Sequence, residues 1–546
     1  MTDRVRTDID VIADNYVDTI AQLSPISATD MGIAGHDHRL DDFSPAGHQA
    51  RQQAASEVLA KLETAQISDD IDRVTVAAMK ERLGLQLELF EAGEHLRDLN
   101  CIASPPQIIR QIFDLMPNGS VQDWEVIANR LAEIPKSLAG YTQTLKLGHE
   151  KSMLPAKRQL ELVIAESQEN AGEDSFFTAL ITKSPQLPAG LTQQLQKAAD
   201  GAREAYGELA NELKQLIGDA PEKDAVGKER YKLLSRVFIG AKIDFDETYE
   251  WGLKELINII AEQRKIAEQL EVGSIEEAFT KLDADPRYKL HGTDALQAWM
   301  QQTSDEAIAA LADKHFDIPD PLHKLECRIA PTNSGAIYYT GPSEDFSRPG
   351  RMWWSVPEGV VDFTTWMEKT TVYHEGVPGH HLQIAQTMYR KNLLNRWRRM
   401  ACWVSGHGEG WALYAERLMS DLGFLDDPGD RMGMLDSQRL RAARVVLDIG
   451  VHLEKPHPDG GIWNAENAWE FLRSNVNMNP EFLRFELNRY LGWAGQAPSY
   501  KIGQRLWEQI RDEALRNGEE LKSFHRRALD VGSLGLDTLR AALRQS

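Results

Sequence analysis

Residues 373–383 read YHEGVPGHHLQ and carry three histidines and one glutamate within eight residues. Imidazole nitrogens and carboxylate oxygens are common zinc ligands, and a glutamate beside the first histidine can take a proton from water that the metal activates. Histidines are thinly spread over the rest of the chain. We therefore take this stretch as the candidate reaction centre and work outward from it.

The spacing in this stretch differs from the usual H-E-x-x-H, because the position of the second histidine is Pro378. On a regular helix His374 and His380 would be rotated about 240° apart, and His381 would lie about 10 Å from His374 along the axis. Pro378 lacks an N–H and its ring clashes with the carbonyl of His374, so the helix must bulge or break. A two-residue bulge at Pro378-Gly379 would return His380 to the position that H-E-x-x-H requires.

The stretch therefore predicts His374 and His380 as ligands of one Zn²⁺ ion per chain, with Glu375 as the general base. The alternative is a helix C-terminus that Pro-Gly ends, with the histidines packed against aromatic neighbours. Thr365 and Glu368 form a T-x-x-E pattern that predicts the start of this helix.

A second helix is predicted after the glycine-rich lead at residues 406–410. Glu409 and Glu416 are seven residues apart on it and so face the same way. Either could complete a site of two histidines and one glutamate. Either could equally be a solvated acid or one that supports a ligand from behind, and spacing alone does not choose between them.

A third predicted helix, from about residue 436 to 453, spaces Arg444, Asp448 and His452 at intervals of four. Arg444 could pair with Asp448, and Asp448 could orient His452 to donate a hydrogen bond to a developing oxyanion. A surface salt-bridge ladder is the alternative. Farther along, residues 492–503 form a loop that enters a helix, where Tyr500 could present a phenol donor.

Composition limits the function classes. The 546 residues are 42% hydrophobic and 26% charged, which is typical of a globular protein, and the net charge of −22 argues against nucleic acid as a partner. The three cysteines, Cys101, Cys327 and Cys402, suit a reducing compartment better than a disulfide framework. The N-terminus carries acids without an apolar run, which predicts no signal peptide, no membrane partner and a cytoplasmic location.

The order of elements predicts a mainly α fold with two helical lobes. Residues 1–240 would form the N-terminal lobe and residues 241–546 the C-terminal catalytic lobe with the zinc site, with the junction near the polar segment 219–227. Residues 337–339 and 352–356 predict two short strands around turn-rich residues 341–350, as a hairpin or small sheet near the metal helix. Its edge could pair with an extended peptide, or the hairpin could be only structural.

Taken together, these segments resemble the bacterial family catalogued as domain of unknown function 885, which is similar in its motifs to gluzincin zinc metallopeptidases. The resemblance extends over roughly residues 330–510 and more loosely to the N-terminal half. Its motifs are Arg348-Pro349-Gly350, the 373–383 stretch, residues 409–416, residues 448–452, and Gly495-Gln496 through Tyr500-Lys501-Ile502-Gly503. One departure is Ala494, where we expect the family's proline.

The resemblance implies a mostly helical body with a deep cleft. It also implies a zinc-dependent peptidase that cleaves short peptides, in the manner of a carboxypeptidase or dipeptidase. It favours Glu409 as the third ligand and implies that His452 and Tyr500 are transition-state donors. Substrate-binding or supporting roles are expected for His381, Glu416, Arg444, Asp448, Gln496, Lys501, Arg348 and Tyr339. The alternative function is a helical peptide-binding protein that has lost its metal. Oligomeric state is left open.

Overall fold

A computed structural model describes residues 4–331 and 337–545, of which most are helical, in line with 68% helix for the molecule. The prediction of a mainly α fold is confirmed. The first three residues of the acidic N-terminal stretch lie outside the described part of the chain.

The helices follow one another along the chain with short connections. In the first half they are α1 Asp8–Leu23, α2 Pro25–Asp30, α3 Pro45–Thr64, α4 Asp70–Glu91, α5 Pro105–Gln111, α6 Val121–Glu150, α7 Lys157–Ala171, α8 Phe176–Thr182, α9 Ala189–Leu216, α10 Lys228–Ile239 and α11 Phe245–Gln269. In the second half they are α12 Ile275–Ala284, α13 Thr293–Leu311, α14 Lys369–Glu375, α15 His380–Tyr389, α16 Ser405–Asp421, α17 Pro428–His452, α18 Ala465–Asn475, α19 Pro480–Gly492, α20 Ser499–Arg516, α21 Leu521–Asp530 and α22 Leu536–Gln545.

Within residues 4–331 and 337–545 the strands form two small sheets. One sheet pairs β1 Lys289–His291 antiparallel with β5 Asp362–Thr364. The other has the order β2-β4-β3, where β3 Ile337–Thr340 runs antiparallel to β4 Gly350–Trp354 and β2 Leu325–Ile329 runs parallel to β4. The predicted pair of strands is thus confirmed, and β2 adds a third strand that the pattern did not predict.

Buried apolar side chains form two cores. The smaller core draws its residues from between Ile26 and Ala220, mainly from α6 and α9. The larger core contains residues from α10 onward together with residues of α1, α3 and α4, such as Val17 and Met79. Helices from both sides of residue 240 thus share the larger core, and the lobe boundary at that residue stays a prediction.

The predicted capping by Thr365 of the helix that carries His374 is wrong. α14 begins at Lys369 with no side-chain cap, and the Thr365 hydroxyl instead donates to the carbonyl of Tyr288 at 3.3 Å. Thr365 is therefore engaged by the segment before β1. His374 consequently lies in the second turn of a short helix.

Helices α16 and α20 cross at very close range where both carry glycine. A Cβ on Gly503 would lie 2.2 Å from the carbonyl oxygen of Gly406, and one on Gly410 would lie 2.4 Å from the carbonyl carbon of Gly503. Only glycine allows backbones to approach so closely. The crossing brings the helix that carries Glu409 next to the helix that carries Tyr500.

Within the ranges 4–331 and 337–545, no helix is both long enough and apolar enough to cross a membrane.

The crossing of α16 and α20 makes a stability prediction. We expect Gly503→Ala to lower the free energy of unfolding by about 1–3 kcal/mol, because the added methyl group overlaps backbone atoms of α16. The matched control is Gly84→Ala in α4, where no heavy atom lies within 4 Å of the added carbon. That change should be neutral or stabilise by up to about 1 kcal/mol. Urea unfolding followed by circular dichroism measures both, and equal effects would contradict the crossing.

Candidate metal centre

The segment between α14 and α15 leaves helical geometry, as the sequence predicts. α14 ends at Glu375 and α15 begins at His380, so residues 376–379 form a bend with a cis Val377–Pro378 peptide bond. Backbone bonds close the bend: the Gly379 N–H donates to the Tyr373 carbonyl at 3.1 Å, and the His381 N–H donates to the Gly376 carbonyl at 3.1 Å. The bend places the first residue of α15 beside the end of α14.

Two contacts hold this bend in place. A Cβ at position 379 would lie 1.9 Å from the carbonyl oxygen of His374, so the chain can fold back only with glycine there. On the other side, the indole N–H of Trp411 donates to the carbonyl of Pro378 at 2.8 Å within the core. Because Trp411 follows Glu409 on α16, the same helix fixes both the bend and the carboxylate.

The bend brings His374 and His380 to a common carboxylate. The Oε2 atom of Glu409 lies 3.3 Å from Nε2 of His374 and 3.6 Å from Nε2 of His380. One potential ligand atom from each residue falls within 4.8 Å of the others. Ligands bound tetrahedrally to Zn²⁺ at about 2.0–2.1 Å are roughly 3.4 Å apart, so this donor set fits a zinc ion with little rearrangement.

Glu416 lies behind His374 rather than in the donor set. Its Oε1 atom is 2.7 Å from Nδ1 of His374, the nitrogen that faces away from Glu409. Its Oε2 atom accepts from the hydroxyl of Thr370 at 3.0 Å and from the amide of Gln438 at 3.4 Å. A carboxylate bound to the outer nitrogen fixes the ring orientation of a ligand histidine. This geometry favours Glu409 as the metal ligand and Glu416 as the residue that orients His374.

Lys501 extends the support by one more residue. Its ammonium donates to the Gln438 side-chain oxygen at 2.6 Å and forms an ion pair with Glu255 at 2.9 Å. Lys501 is buried and does not line the cleft. Its expected supporting role therefore corresponds to a chain of polar contacts that leads through Gln438 to Glu416.

The charges of His374 and Glu409 depend on each other. Burial by itself lowers the pKa of His374, but hydrogen bonds to Glu409 and Glu416 outweigh it and raise that pKa to about 10. For Glu409, burial opposes ionisation, yet the bonds to His374 and His380 hold its pKa well below the usual range. A metal ion must displace the His374 proton to bind, and it would then supply the positive charge that the carboxylates favour.

Glu375 lies beside the donor set and lines the same cleft. Its side chain is 8% exposed, and burial raises its pKa while the neighbouring His380 and His374 lower it. A carboxylate with a raised pKa is a better proton acceptor near neutral pH than an exposed one. The geometry thus leaves Glu375 free of the donor set and facing the cleft.

His381 points away from the donor set. Its Nδ1 atom contacts the hydroxyl of Tyr339 at 3.0 Å and its Nε2 atom contacts the carbonyl of Leu322 at 2.9 Å. Burial lowers the pKa of His381 to about 4, which favours the neutral ring. Of this pair only Tyr339 lines the cleft, so His381 supports the cleft wall from behind.

The structure does not bring His452 to the cleft. Its ring is buried and its Nε2–H donates to the carbonyl of Tyr490 at 2.9 Å, while Asp448 is 4.0 Å away. Asp448 accepts instead from the Tyr231 hydroxyl at 2.6 Å and from the Gly495 N–H at 3.0 Å. The expected role of His452 as an oxyanion donor, and of Asp448 in orienting it for that purpose, does not fit this geometry. The spacing of four residues placed them on one helix face, but that face packs inside the protein.

Arg444 and Tyr500 do line the cleft. Arg444 does not pair with Asp448 as expected, since its guanidinium donates to the Tyr490 hydroxyl at 2.6 Å and to Glu486 at 2.7 Å. The Arg444 guanidinium also lies 5.1 Å from the ring centre of Tyr500. Burial raises the pKa of the Tyr500 phenol and the charge of Glu409 raises it further, which keeps the phenol protonated.

Two other expected residues lie outside the cleft lining. Gln496 accepts from the guanidinium of Arg489 at 2.7 Å, so it supports a cleft residue. Arg348 belongs to the turn after β3, where its N–H bonds to the hydroxyl of Ser343 at 2.9 Å and its guanidinium to the carbonyl of Pro349 at 3.3 Å. Its expected contact with substrate is not supported by this position.

The cleft itself has a volume of about 890 Å³ and includes residues that the sequence analysis missed. Arg441 and Arg489 line it together with Asp436 and Trp403. Arg441 precedes Arg444 by three residues and so shares its helix face, a signal that the sequence contained. Arg489 and Trp403 come from other elements, and no spacing links them to the histidines.

Comparison with known proteins gives the family and the fold. The sequence model of a bacterial family described as "Bacterial protein of unknown function (DUF885)" matches residues 25–543. No curated protein matches the chain. A solved structure from Colwellia psychrerythraea is similar with a TM-score of 0.83 at 21% identity, over 98% of both chains. Another from Shewanella oneidensis has a TM-score of 0.74 at 17% identity, over 99% of this chain and 100% of that one.

Both of those structures are described as a "putative lipoprotein", and the second as being of unknown function. At this identity the similarity shows the shared fold alone. The predicted cytoplasmic location has no support from these relatives and stays a prediction. The gluzincin similarity inferred from the motifs is likewise outside what the comparisons show.

The bend makes a prediction about the two adjacent histidines. We expect His380→Ala to lose bound zinc, because its nitrogen is part of the donor set, and His381→Ala to retain it, because that ring contacts Tyr339 and Leu322 instead. Zinc per chain after dialysis, measured by atomic emission, distinguishes the variants. If His380→Ala retains zinc and a folded His381→Ala loses it, His381 and not His380 is the ligand.

The two glutamates of α16 make a second prediction. Glu409→Ala should abolish zinc binding, whereas Glu416→Ala should weaken it by about 10- to 100-fold, since Glu416 acts only through the His374 ring. Titration against a chelator of known affinity gives both dissociation constants. The assignment is reversed if Glu416→Ala loses the metal while Glu409→Ala keeps it.

Proposed function

The chain belongs to the bacterial DUF885 family, whose function is unknown, and from its cleft we propose that it is a zinc-dependent peptidase that hydrolyses short peptides. One observation carries the proposal: two imidazoles and a carboxylate converge on one point, with the uncommitted carboxylate of Glu375 facing the same cleft. A zinc ion held by His374, His380 and Glu409 would polarise a substrate carbonyl and acidify water.

The remaining chemistry belongs to side chains of the cleft. Glu375 would accept a proton from the attacking water and pass it to the leaving amine. Tyr500 would donate its hydroxyl hydrogen to the carbonyl oxygen as that oxygen gains negative charge. The raised pKa of Tyr500 suits this role, because the phenol must keep its proton to donate a hydrogen bond. His452 has no part in the reaction, since it lies outside the cleft.

The small sheet supports a peptide as the substrate. β3 is an edge strand that pairs with β4 among the described strands, and its residues Ile337, Tyr338 and Tyr339 line the cleft. An extended peptide can add to such an edge through backbone hydrogen bonds. The strand would thereby align the peptide beside the donor set without selecting its side chains.

The alternative of a metal-free peptide-binding protein rested on Pro378 spoiling the ligand spacing. That reason is removed, because the bend at residues 376–379 brings His374 and His380 to the same carboxylate. Metal analysis of purified protein separates the two functions directly. Zinc near one per chain supports the peptidase, and its absence without chelators supports the binding protein.

The role of Glu375 provides the sharpest test of catalysis. Glu375→Gln should bind zinc normally, because Glu375 is not in the donor set, but should lower peptide hydrolysis by about a hundredfold to ten-thousandfold. Cleavage of a mixed peptide library followed by mass spectrometry measures the loss, with the exposed Glu358→Gln as the matched control. Near-normal hydrolysis by a zinc-loaded Glu375→Gln would refute the assignment of the base.

A further inference from the structure

Three arginines line one wall of the cleft. Arg441 and Arg444 lie three residues apart on α17, and Arg489 on α19 faces them. The chain as a whole carries a net charge of −22, so three guanidinium groups on one wall of a cavity are a local concentration of positive charge. A concentration of positive charge in a low-dielectric cleft attracts anions.

The protein neutralises this wall only in part. Glu486 accepts from Arg444 at 2.7 Å and from Arg489 at 2.9 Å, and so one carboxylate serves two cations. The other partner of Arg489 is the neutral amide of Gln496, and Arg441 donates to the hydroxyl and carbonyl of Ser437.

Two further acids in the cleft are weak counter-ions. Asp436 lies close enough to Arg441 for their charges to interact, but burial raises its pKa to about 7. Burial also raises the pKa of Glu368, which interacts with Arg441 as well. Asp436 therefore carries only part of a negative charge near neutral pH, and burial disfavours the charged form of Glu368, so an excess of positive charge remains at the wall.

Two of the guanidinium groups also have unused donors. The Nε atoms of Arg441 and Arg489 are buried, and neither has a hydrogen-bond partner among the described residues. A buried donor without a partner is costly, and an arginine can bind a carboxylate through two parallel N–H groups. The protein thus leaves part of the hydrogen-bonding capacity of these two guanidinium groups unused.

The wall begins beside the proposed reaction centre. The Arg444 guanidinium carbon lies 5.1 Å from the centre of the Tyr500 ring. The Tyr500 phenol interacts electrostatically with Glu409 and with the three arginines. Tyr500 therefore lies between the donor set and the wall. One residue of extended peptide spans about 3.3–3.6 Å, so the next backbone carboxylate beyond a scissile bond near Tyr500 would reach the guanidinium groups.

We propose that Arg441, Arg444 and Arg489 bind the α-carboxylate of the last residue of a peptide, so that the cleft releases amino acids from a free C-terminus. This inference rests on the proposed peptidase function and adds the substrate class to it. The donor set would lie at the bond before the last residue. A peptide that lacks the terminal negative charge would leave the excess positive charge of the wall without a ligand anion.

Binding can be tested without relying on hydrolysis. The protein to use is the full chain with Glu375→Gln, loaded with zinc, and the measurement is calorimetric titration with one short peptide as the free acid and as the C-terminal amide. We expect the amide to bind at least about tenfold more weakly, the size of one charge-assisted hydrogen bond. Equal binding of the two forms would overturn the carboxylate subsite.

A variant then assigns the effect to the wall. Adding Arg441→Gln should reduce affinity for the free acid by about tenfold and leave the affinity for the amide unchanged, because only the terminal charge is lost. Arg441 is suited to substitution because its hydrogen-bond partner among the described residues is Ser437, whereas Arg444 and Arg489 both bind Glu486. The exposed Arg431→Gln on the same helix is the matched control and should change neither affinity. Equal weakening of acid and amide would refute the role of Arg441.

A third peptide separates the two sources of a carboxylate. It carries a C-terminal amide and a glutamate as its last residue, so its only terminal anion is on the side chain. We expect it to bind as weakly as the other amide, and restored affinity would mean that the wall binds acidic side chains instead.

If none of the peptides binds, the proposed peptide function itself is wrong. If the free acid binds selectively but the wild-type protein does not hydrolyse it, the carboxylate subsite is supported and the peptidase proposal is refuted.

Discussion

The backbone of His374 approaches Gly379 so closely that a Cβ at position 379 would lie 1.9 Å from the His374 carbonyl oxygen. This contact allows the chain to reverse within residues 376–379 and to start α15 directly beside the end of α14. Without the reversal, His374 and His380 would face different sides of one helix. Trp411 secures the bend by donating to the carbonyl of Pro378, and Glu409 on the same helix then meets both imidazoles.

A buried polar network stands behind the donor set. It runs from His374 to Glu416, then to Gln438 and Lys501, and so connects α14, α16, α17 and α20. Buried polar groups are stable only when their hydrogen bonds are made, and a chain of such groups holds its members in one arrangement. The orientation of His374 therefore depends on four helices. Within the described residues, His380 has no such support at Nδ1, which is buried without a partner.

His452 and Asp448 have a structural explanation that replaces their expected role in catalysis. His452 donates to the carbonyl of Tyr490, and Asp448 accepts from the N–H of Gly495, where the backbone has a positive φ of 83°. The first contact is to the last turn of α19, and the second is to the segment between α19 and α20. That segment sets the start of α20 and hence the position of Tyr500 in the cleft. The two residues thus influence the site through the backbone, without touching the cleft.

The sequence by itself determined the helical fold, the departure from helix at Pro378-Gly379, the two strands at β3 and β4, and the choice of His380 over His381 as the neighbour of His374. These features follow from local rules, because apolar periodicity and the backbone limits of proline and glycine act over a few residues. Only the tertiary structure decided that Glu409 faces the imidazoles while Glu416 lies behind them, since residues seven apart on a helix look alike until their neighbours are known. It also decided that His452 is buried against Tyr490 and that Arg489 joins Arg441 and Arg444 at one wall. Those contacts join different helices, and their geometry depends on how the helices cross, as at Gly410 and Gly503, which no local pattern specifies.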